Sequence, residues 1–180
     1  VFLGCLEEVN YRPFICNKFG VVCKSDYDAI LKPNRLRAIC DQRAVNDYLD
    51  TPKYSHESLH KARDIFEPET DVLLLTDIRQ GFWHGLTHVD SREYQGCQLG
   101  GRYFLWHCTP MGFPTSRYSF QSMQWILANK FSGLGIKLVT YSDDYAFVCK
   151  RHEAAILGEY LQQEFEAHGL ELNLEKSDFV

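Results

Sequence analysis

The sequence predicts an α+β fold in which helices pack on one face of an antiparallel sheet. Three observations carry that prediction. Asp71-Val-Leu-Leu-Leu-Thr-Asp-Ile78 is a short apolar run of strand length, two later stretches read as hairpins around turn residues, and two others place apolar side chains at helical spacing. With 45% hydrophobic and 14% aromatic residues among 180, the chain can bury a real core as one ordinary domain or two small lobes.

In chain order, Phe14 to Cys23 is rich in Val, Ile and Phe and reads as a strand. The turn cluster Ser25-Asp-Tyr-Asp28 and a second strand near Leu36 to Cys40 follow, giving a hairpin that carries Lys24, Lys32, Arg35 and Arg37. Ser55 is placed to cap a helix whose apolar face is Leu59, Ala62 and Phe66. The run from Asp71 to Ile78 has the pattern of a strand covered on both faces, with Asp77 at its exit. Tyr94 to Leu99 and Arg102 to Cys108 form a hairpin about Gly100-Gly101, a dipeptide suited to positive φ. Thr109 to Ser116, with two prolines and a glycine, is a loop. Arg117 to Phe131 carries Phe120, Met123, Leu127 and Phe131 on one helical face. A last hairpin turns at Ser142-Asp143-Asp144. The final helix, Ala154 to His168, presents Leu157, Leu161, Phe165 and His168 and stops at Gly169.

Composition narrows the function. No stretch approaches a transmembrane length of apolar residues and Val1-Phe-Leu-Gly-Cys-Leu6 has no basic leader, so a soluble, intracellular protein without a membrane partner is expected. Seven cysteines, an odd number with no C-x-x-C pair, point to neither a disulfide framework nor a zinc module. His84 and His88 have i, i+4 spacing but lack the glutamate of a zinc helix. The net charge of −5 argues against a nucleic-acid enzyme until its distribution is considered. Arg12 to Arg63 holds ten Lys/Arg against six Asp/Glu, whereas the remainder holds nine against eighteen.

Asp143 and Asp144 are adjacent at a hairpin tip, and Asp77 ends an earlier strand. Two carboxylates about 4 Å apart repel by roughly 4 kcal/mol at an effective dielectric of ~20. Such a trio makes sense as a site for divalent cations performing phosphoryl transfer. Ser-Asp-Asp is also ordinary turn chemistry, and taken alone it favours the turn.

The order of motifs is more specific than any one of them. Asp77-Ile-Arg-Gln-Gly-Phe82 resembles the first palm motif of reverse transcriptases, Pro110-Met-Gly-Phe-Pro-Thr-Ser116 with Ser119-Phe-Gln-Ser-Met123 the second, Tyr141-Ser-Asp-Asp144 the third and Gly169-Leu-Glu-Leu-Asn-Leu-Glu-Lys-Ser177 the fourth. Arg35-Leu-Arg-Ala-Ile-Cys-Asp-Gln-Arg-Ala-Val-Asn46 is similar to the fingers segment, so the resemblance covers roughly residues 12 to 180. It implies right-hand polymerase fingers over residues 1–70. Residues 71–180 would form a palm whose antiparallel sheet carries helices on one face, with an inserted hairpin at about 90–110. A thumb and RNase H would lie outside this piece of a longer polyprotein, leaving an isolated fragment that is not processive.

The same resemblance implies an RNA-directed DNA polymerase, a nucleotidyltransferase that adds deoxynucleotides to a primer 3′-hydroxyl on an RNA or DNA template. Asp77, Asp143 and Asp144 would be catalytic and, with the Ile78 carbonyl, would hold two Mg²⁺ ions, Mn²⁺ being a substitute. Lys24, Arg37, Phe82, Met111, Gly112 and Lys176 would bind the deoxynucleoside triphosphate. Phe82 would lie under the sugar and exclude a 2′-hydroxyl, although plain core packing also explains it. Lys24 and Arg37 would clamp triphosphate oxygens, with a solvated basic hairpin as the alternative, whereas an ion pair is the simpler account of Asp41 and Arg43. Met111, where retroviral enzymes usually have glutamine, and Ser142 in the third motif argue against a retrovirus, and the runs Pro110–Ser116 and Asn173–Ser177 look nearer to retrotransposon enzymes, of the tyrosine-recombinase (DIRS-like) group, working in the nucleus, cytoplasm or a virus-like particle. Two alternatives stand beside this reading: an RNA-directed RNA polymerase, and a catalytically inactive domesticated palm that binds nucleic acid or protein.

Overall fold

Gly100 and Gly101 both take the left-handed backbone, with φ of 59° and 81°. They fold β5 (Gly96–Leu99) onto β6 (Arg102–Trp106) with Leu99 opposite Arg102, the two-residue primed turn that glycine makes accessible. The computed structural model describes residues 4–23, 36–53, 55, 57 and 59–179. It separates into two units, Val1–Pro52 with Gly85–Ser116 and Lys53–His84 with Arg117–Val180.

The first unit is built on a five-stranded sheet. Its order is β1-β6-β5-β2-β3, where β1 is Leu6–Val9, β2 Cys16–Cys23 and β3 Leu36–Asp41. The β2–β3 hairpin expected from the sequence is present, from Lys18 opposite Asp41 to Cys23 opposite Leu36. Lys24, Lys32 and Arg35 lie outside the described residues. Two features go beyond the hairpins expected: a further strand, β1, pairs antiparallel with β6, and β2 runs parallel to β5. The parallel pair begins where Gly96 meets Cys16, because the preceding residues, Val89–Gln95, wind into a 3-10 helix. The expected strand start at Tyr94 is therefore two residues early. Glu93 holds that corner, accepting hydrogen bonds from Tyr11 Oη (2.5 Å) and the Phe14 amide (3.1 Å).

After β3 comes a single helical turn, α1 (Arg43–Asn46), and the Asp41 and Arg43 side chains pair bidentately at 2.7 and 2.8 Å. The guanidinium draws the Asp41 carboxyl down to about 2. As expected these two form an ion pair, but one that spans two residues and shapes the local turn.

The second unit holds a three-stranded antiparallel sheet in the order β4-β8-β7, from Asp71–Asp77, Asp144–Lys150 and Lys137–Tyr141. Helices α3 (Pro114–Gly133) and α4 (Ala154–Ala167) cover the face bearing Leu74, Leu138, Tyr145 and Phe147. Phe131, Phe147 and Phe165 are fully buried there, with Phe131–Phe147 ring centroids 5.4 Å apart and Phe131–Phe165 5.8 Å. Helix α3 begins three residues earlier than expected, at Pro114, whose fixed φ suits a first helical turn. Helix α2 (Leu59–Ile65) starts four residues after Ser55, which is therefore not its cap. His168 leaves the buried stripe and caps α4 in solvent, its Nδ1 2.7 Å from the Glu164 carbonyl.

The strand β4 is not covered on both faces. Leu74 is fully buried, whereas Leu73 and Leu75 are 40% and 45% exposed. The continuous apolar run hides a half-buried strand: on the face opposite α3 and α4, Val139 of β7 and Val148 of β8 are buried, whereas Leu73 and Leu75 at the β4 edge are not. At its start Lys150 reaches Asp71 at 2.7 Å, Thr70 at 2.8 Å and Glu67 at 3.0 Å, clamping the ends of β4 and β8 together.

Replacing Phe147 by alanine removes the ring shared by both helices and the sheet. The expected cost is about 3–5 kcal/mol, read as a lower urea midpoint with an unchanged slope.

Candidate active site

The β4–β8–β7 sheet carries the three aspartates to one place. Thr76, Tyr145 and Thr140 form one cross-strand row, and the next row is Asp77, Asp144 and Tyr141. Asp143 occupies the β7–β8 turn behind Ser142, a non-glycine residue in left-handed conformation (φ 55°). The Ile78 amide donates to the Asp143 carbonyl at 3.1 Å, tying the hairpin tip to the exit of β4. Side chains alternate along a strand, so Asp77 shares its face with Leu73 and Leu75, opposite the face that α3 and α4 cover.

Charge accumulates here. The Asp144 carboxyl is pushed above the usual carboxylate range, first by partial loss of hydration, then by Asp143 and Asp77, while Lys176 opposes the shift. Asp77, with a largely buried side chain, is embraced by the segment after α4. Its carboxylate Oδ2 accepts from Asn173 Nδ2 at 2.8 Å and lies 3.4 Å from Lys176 Nζ. Its amide donates to Ser177 Oγ at 3.2 Å. Lys176 was expected from the sequence. Asn173 and Ser177 were not singled out, although the run Asn-Leu-Glu-Lys-Ser that holds them was the available signal.

Ile78 places its side chain in the core, 1% exposed. Phe82, in the 3-10 turn Gly81–His84, is partly buried and packs on Phe120 with centroids 5.4 Å apart. Core packing is thus real for this ring, and a remaining open edge is compatible with a second role. These residues and Lys176 belong to the second unit. Arg37, Met111 and Gly112 belong to the first. Lys24 and the Arg37 side chain lie outside the described residues. Gly112 has φ of 97°, and a Cβ there would stand 3.2 Å from the Cys40 carbonyl, while its own carbonyl accepts from Asn46 Nδ2 at 2.9 Å. Glycine is needed for the loop itself.

Among the described residues no three His, Cys, Asp or Glu side chains converge into a complete metal cage. Mg²⁺ does not require one, being held as a rule by one or two carboxylates together with substrate phosphates. Asp77 and Asp144, facing each other across the ladder beside Asp143, are hard oxygen donors whose mutual repulsion a cation would relieve. The donor set fits a divalent ion. No described helix is long and apolar enough to cross a membrane.

The family model for reverse transcriptase (RNA-dependent DNA polymerase) matches residues 22–180. A search of curated proteins finds no match. Among solved structures, the foamy viral protease-reverse transcriptase dRH in complex with double-stranded DNA superposes with a TM-score of 0.80 at 20% identity, covering 97% of this chain and 29% of that one. The native prototype foamy virus protease-reverse transcriptase gives 0.75 at 20% identity, over 98% of this chain and 22% of that one. The foamy viral enzyme in complex with an RNA/DNA hybrid gives 0.73 at 20% identity, with the same coverage. The chain therefore spans only 22–29% of these three solved chains, and the likeness shows the fingers-and-palm fold.

Asp144→Asn removes the repelled charge. Because the folded-state pKa of Asp144 is raised, its ionisation destabilises the fold at neutral pH; the penalty fades as pH falls through that raised value and is gone below the ordinary carboxylate value of about 4. In metal-free buffer the variant is expected to melt higher than wild type at pH 7, with the difference shrinking toward pH 3 in calorimetry.

Proposed function

We propose, because the chain belongs to the reverse transcriptase (RNA-dependent DNA polymerase) family, that it supplies the palm carboxylates and fingers of an RNA-directed DNA polymerase. The observation that carries this is the row Asp77–Asp144 with Asp143 at the adjoining turn, on the sheet face opposite α3 and α4. The reaction joins a primer 3′-oxygen to the α-phosphorus of a deoxynucleoside triphosphate and breaks the bond to pyrophosphate. Such chemistry asks the protein mainly for positioning and electrostatics.

Asp77 and Asp143, with the Ile78 carbonyl, would hold two Mg²⁺ ions, and Asp144 adds negative charge beside them. When bound, the ions supply the positive charge that lowers the pKa of the primer hydroxyl and neutralises the triphosphate. Lys24 and Arg37 bring fixed charge for phosphate oxygens. Met111 and Gly112 bring an apolar contact and a close backbone approach for the nucleotide. Lys176, exposed and next to Asp77, is placed to give a proton to the departing pyrophosphate. Phe82, anchored on Phe120, presents a rigid ring to the sugar and discriminates against a 2′-hydroxyl by size.

The solved foamy virus complexes with DNA and with an RNA/DNA hybrid support a primer–template partner. Residues 1–70 correspond to fingers and 71–180 to palm in this reading. Met111 and Ser142 argue against a retroviral source, the runs Pro110–Ser116 and Asn173–Ser177 favour a retrotransposon, and adjoining polyprotein segments would complete the primer-binding surface. An RNA-directed RNA polymerase is disfavoured by the ring at Phe82. An inert scaffold would have no use for three facing carboxylates, whose repulsion costs stability.

Asp143→Asn in the full-length protein is expected to abolish primer extension on an RNA template, and full activity in that variant would sink the assignment. Phe82→Val is expected to raise ribonucleotide incorporation by about ten-fold or more relative to deoxynucleotide, measured with competing triphosphates. A wild-type preference for ribonucleotides would move the chain to the RNA-polymerase class.

A further inference from the structure

Asp77 ends an edge strand whose outer side has no full partner strand. The segment after α4 runs along it, with Arg79 N–H donating to the Glu171 carbonyl at 2.7 Å and Leu172 bridging Ile78. Further on, Asp178 exchanges hydrogen bonds with Leu75 at 2.8 and 3.0 Å. Between these anchors residues 173–177 make a tight turn, closed by the Lys176 and Ser177 amides, both donating to the Asn173 carbonyl at 2.9 Å. Asp77 sits inside that turn.

The turn grips Asp77 at four atoms' worth of contact. Its carbonyl accepts from the Asn173 amide at 2.8 Å, and its amide donates to Ser177 Oγ, whose O–H donates in turn to the Asn173 carbonyl at 3.0 Å. Its Oδ2 takes the Asn173 side-chain amide and the Lys176 ammonium. Among the described residues Oδ1 takes no hydrogen bond, so one oxygen is fixed and the other is left presented. The closing of the turn needs only the backbone of Asn173. Its side chain is therefore spare for the fold and is spent on the carboxylate. A neutral amide donor fixes a carboxylate without cancelling its charge, which an ion pair alone would partly do.

We infer that Asn173 is a positioning residue for Asp77: its Nδ2–H locks the carboxylate rotamer so that Oδ1 is aimed at the divalent ion, while Ser177 fixes the Asp77 backbone. This rests on the polymerase reading for its purpose but not for its geometry. Asp143, at the tip of a turn, and Asp144, open to solvent, show no such amide among the described residues, so Asp77 is the preorganised member of the trio.

The test uses Asn173→Ala and Asn173→Leu in the full-length protein, titrated with Mn²⁺ alone and followed by electron paramagnetic resonance, with Asp77→Asn identifying the site. Mn²⁺ affinity is expected to fall about ten-fold or more, in the range for losing a partner of a metal-ligating group. The Mg²⁺ concentration for half-maximal primer extension should rise in proportion, with the nucleotide KM nearly unchanged and the far-ultraviolet circular dichroism intact. Should either substitution unfold the chain, Ser177→Ala, which removes the hydroxyl linking the Asp77 amide to the Asn173 carbonyl, is expected to shift Mn²⁺ affinity in the same direction. A folded Asn173 variant that binds Mn²⁺ within twofold of wild type overturns the inference, as does a wild type with no Asp77-dependent Mn²⁺ binding. The same Mn²⁺ shift in a protein that extends no primer would count against the polymerase reading alone and support the positioning role.

Discussion

The β4–β8 register is the constraint on which the rest of the site depends. Leu74 faces Phe147 and Thr76 faces Tyr145, all turned toward the helices, and this places Asp77 opposite Asp144 one residue further on. A slip of one residue would turn Phe147 out into solvent and drive a carboxylate toward the core. Hydrophobic packing of Phe131, Phe147 and Phe165 thus decides where two negative charges meet. The aspartates themselves would separate if they could.

Stability is lowered at this end of the sheet and restored around it. Partial loss of hydration and then the facing carboxylates raise the Asp144 pKa, and Ser142 holds a left-handed backbone that a residue with a Cβ adopts at some cost. Opposing these are the Ile78 amide on the Asp143 carbonyl and the 173–177 turn on Asp77. At the other end of β4, Lys150 gathers Asp71, Glu67 and Thr70 into one hydrogen-bonded cluster. At one end of the strand a lysine bonds both carboxylates directly, whereas at the other Asp143 and Asp144 gather beside Asp77, a negative charge that suits a cationic ligand.

Much of this was legible in the chain because the signals were local. Gly100-Gly101 specified a hairpin turn, the Phe120, Leu127 and Phe131 spacing specified a helix stripe, and Asp77 and Asp143-Asp144 were found from their own short motifs. Errors arose wherever a property depended on distant partners. The apolar run 71–78 could not reveal that Leu73 and Leu75, on one of its faces, stay exposed. The parallel pairing of β2 with β5 joins residues about eighty positions apart, and β1 becomes a strand only because β6 is there to receive it. Tyr94 was assigned to a strand, yet Glu93 and the Phe14–Tyr94 ring contact hold it in a 3-10 turn.

By itself the sequence determined which side chains carry the chemistry and, through turn residues and periodicity, which local elements bear them, because both follow from interactions within a few residues. The tertiary structure alone decided that Asp77 and Asp144 share one rung, that the Asp144 carboxyl is strained by its neighbours, and that Asn173 and Ser177 close around Asp77. Those outcomes arise from burying the Phe147 face of the sheet and from running residues 171–178 along an edge strand, arrangements between segments roughly a hundred residues apart that no local pattern encodes.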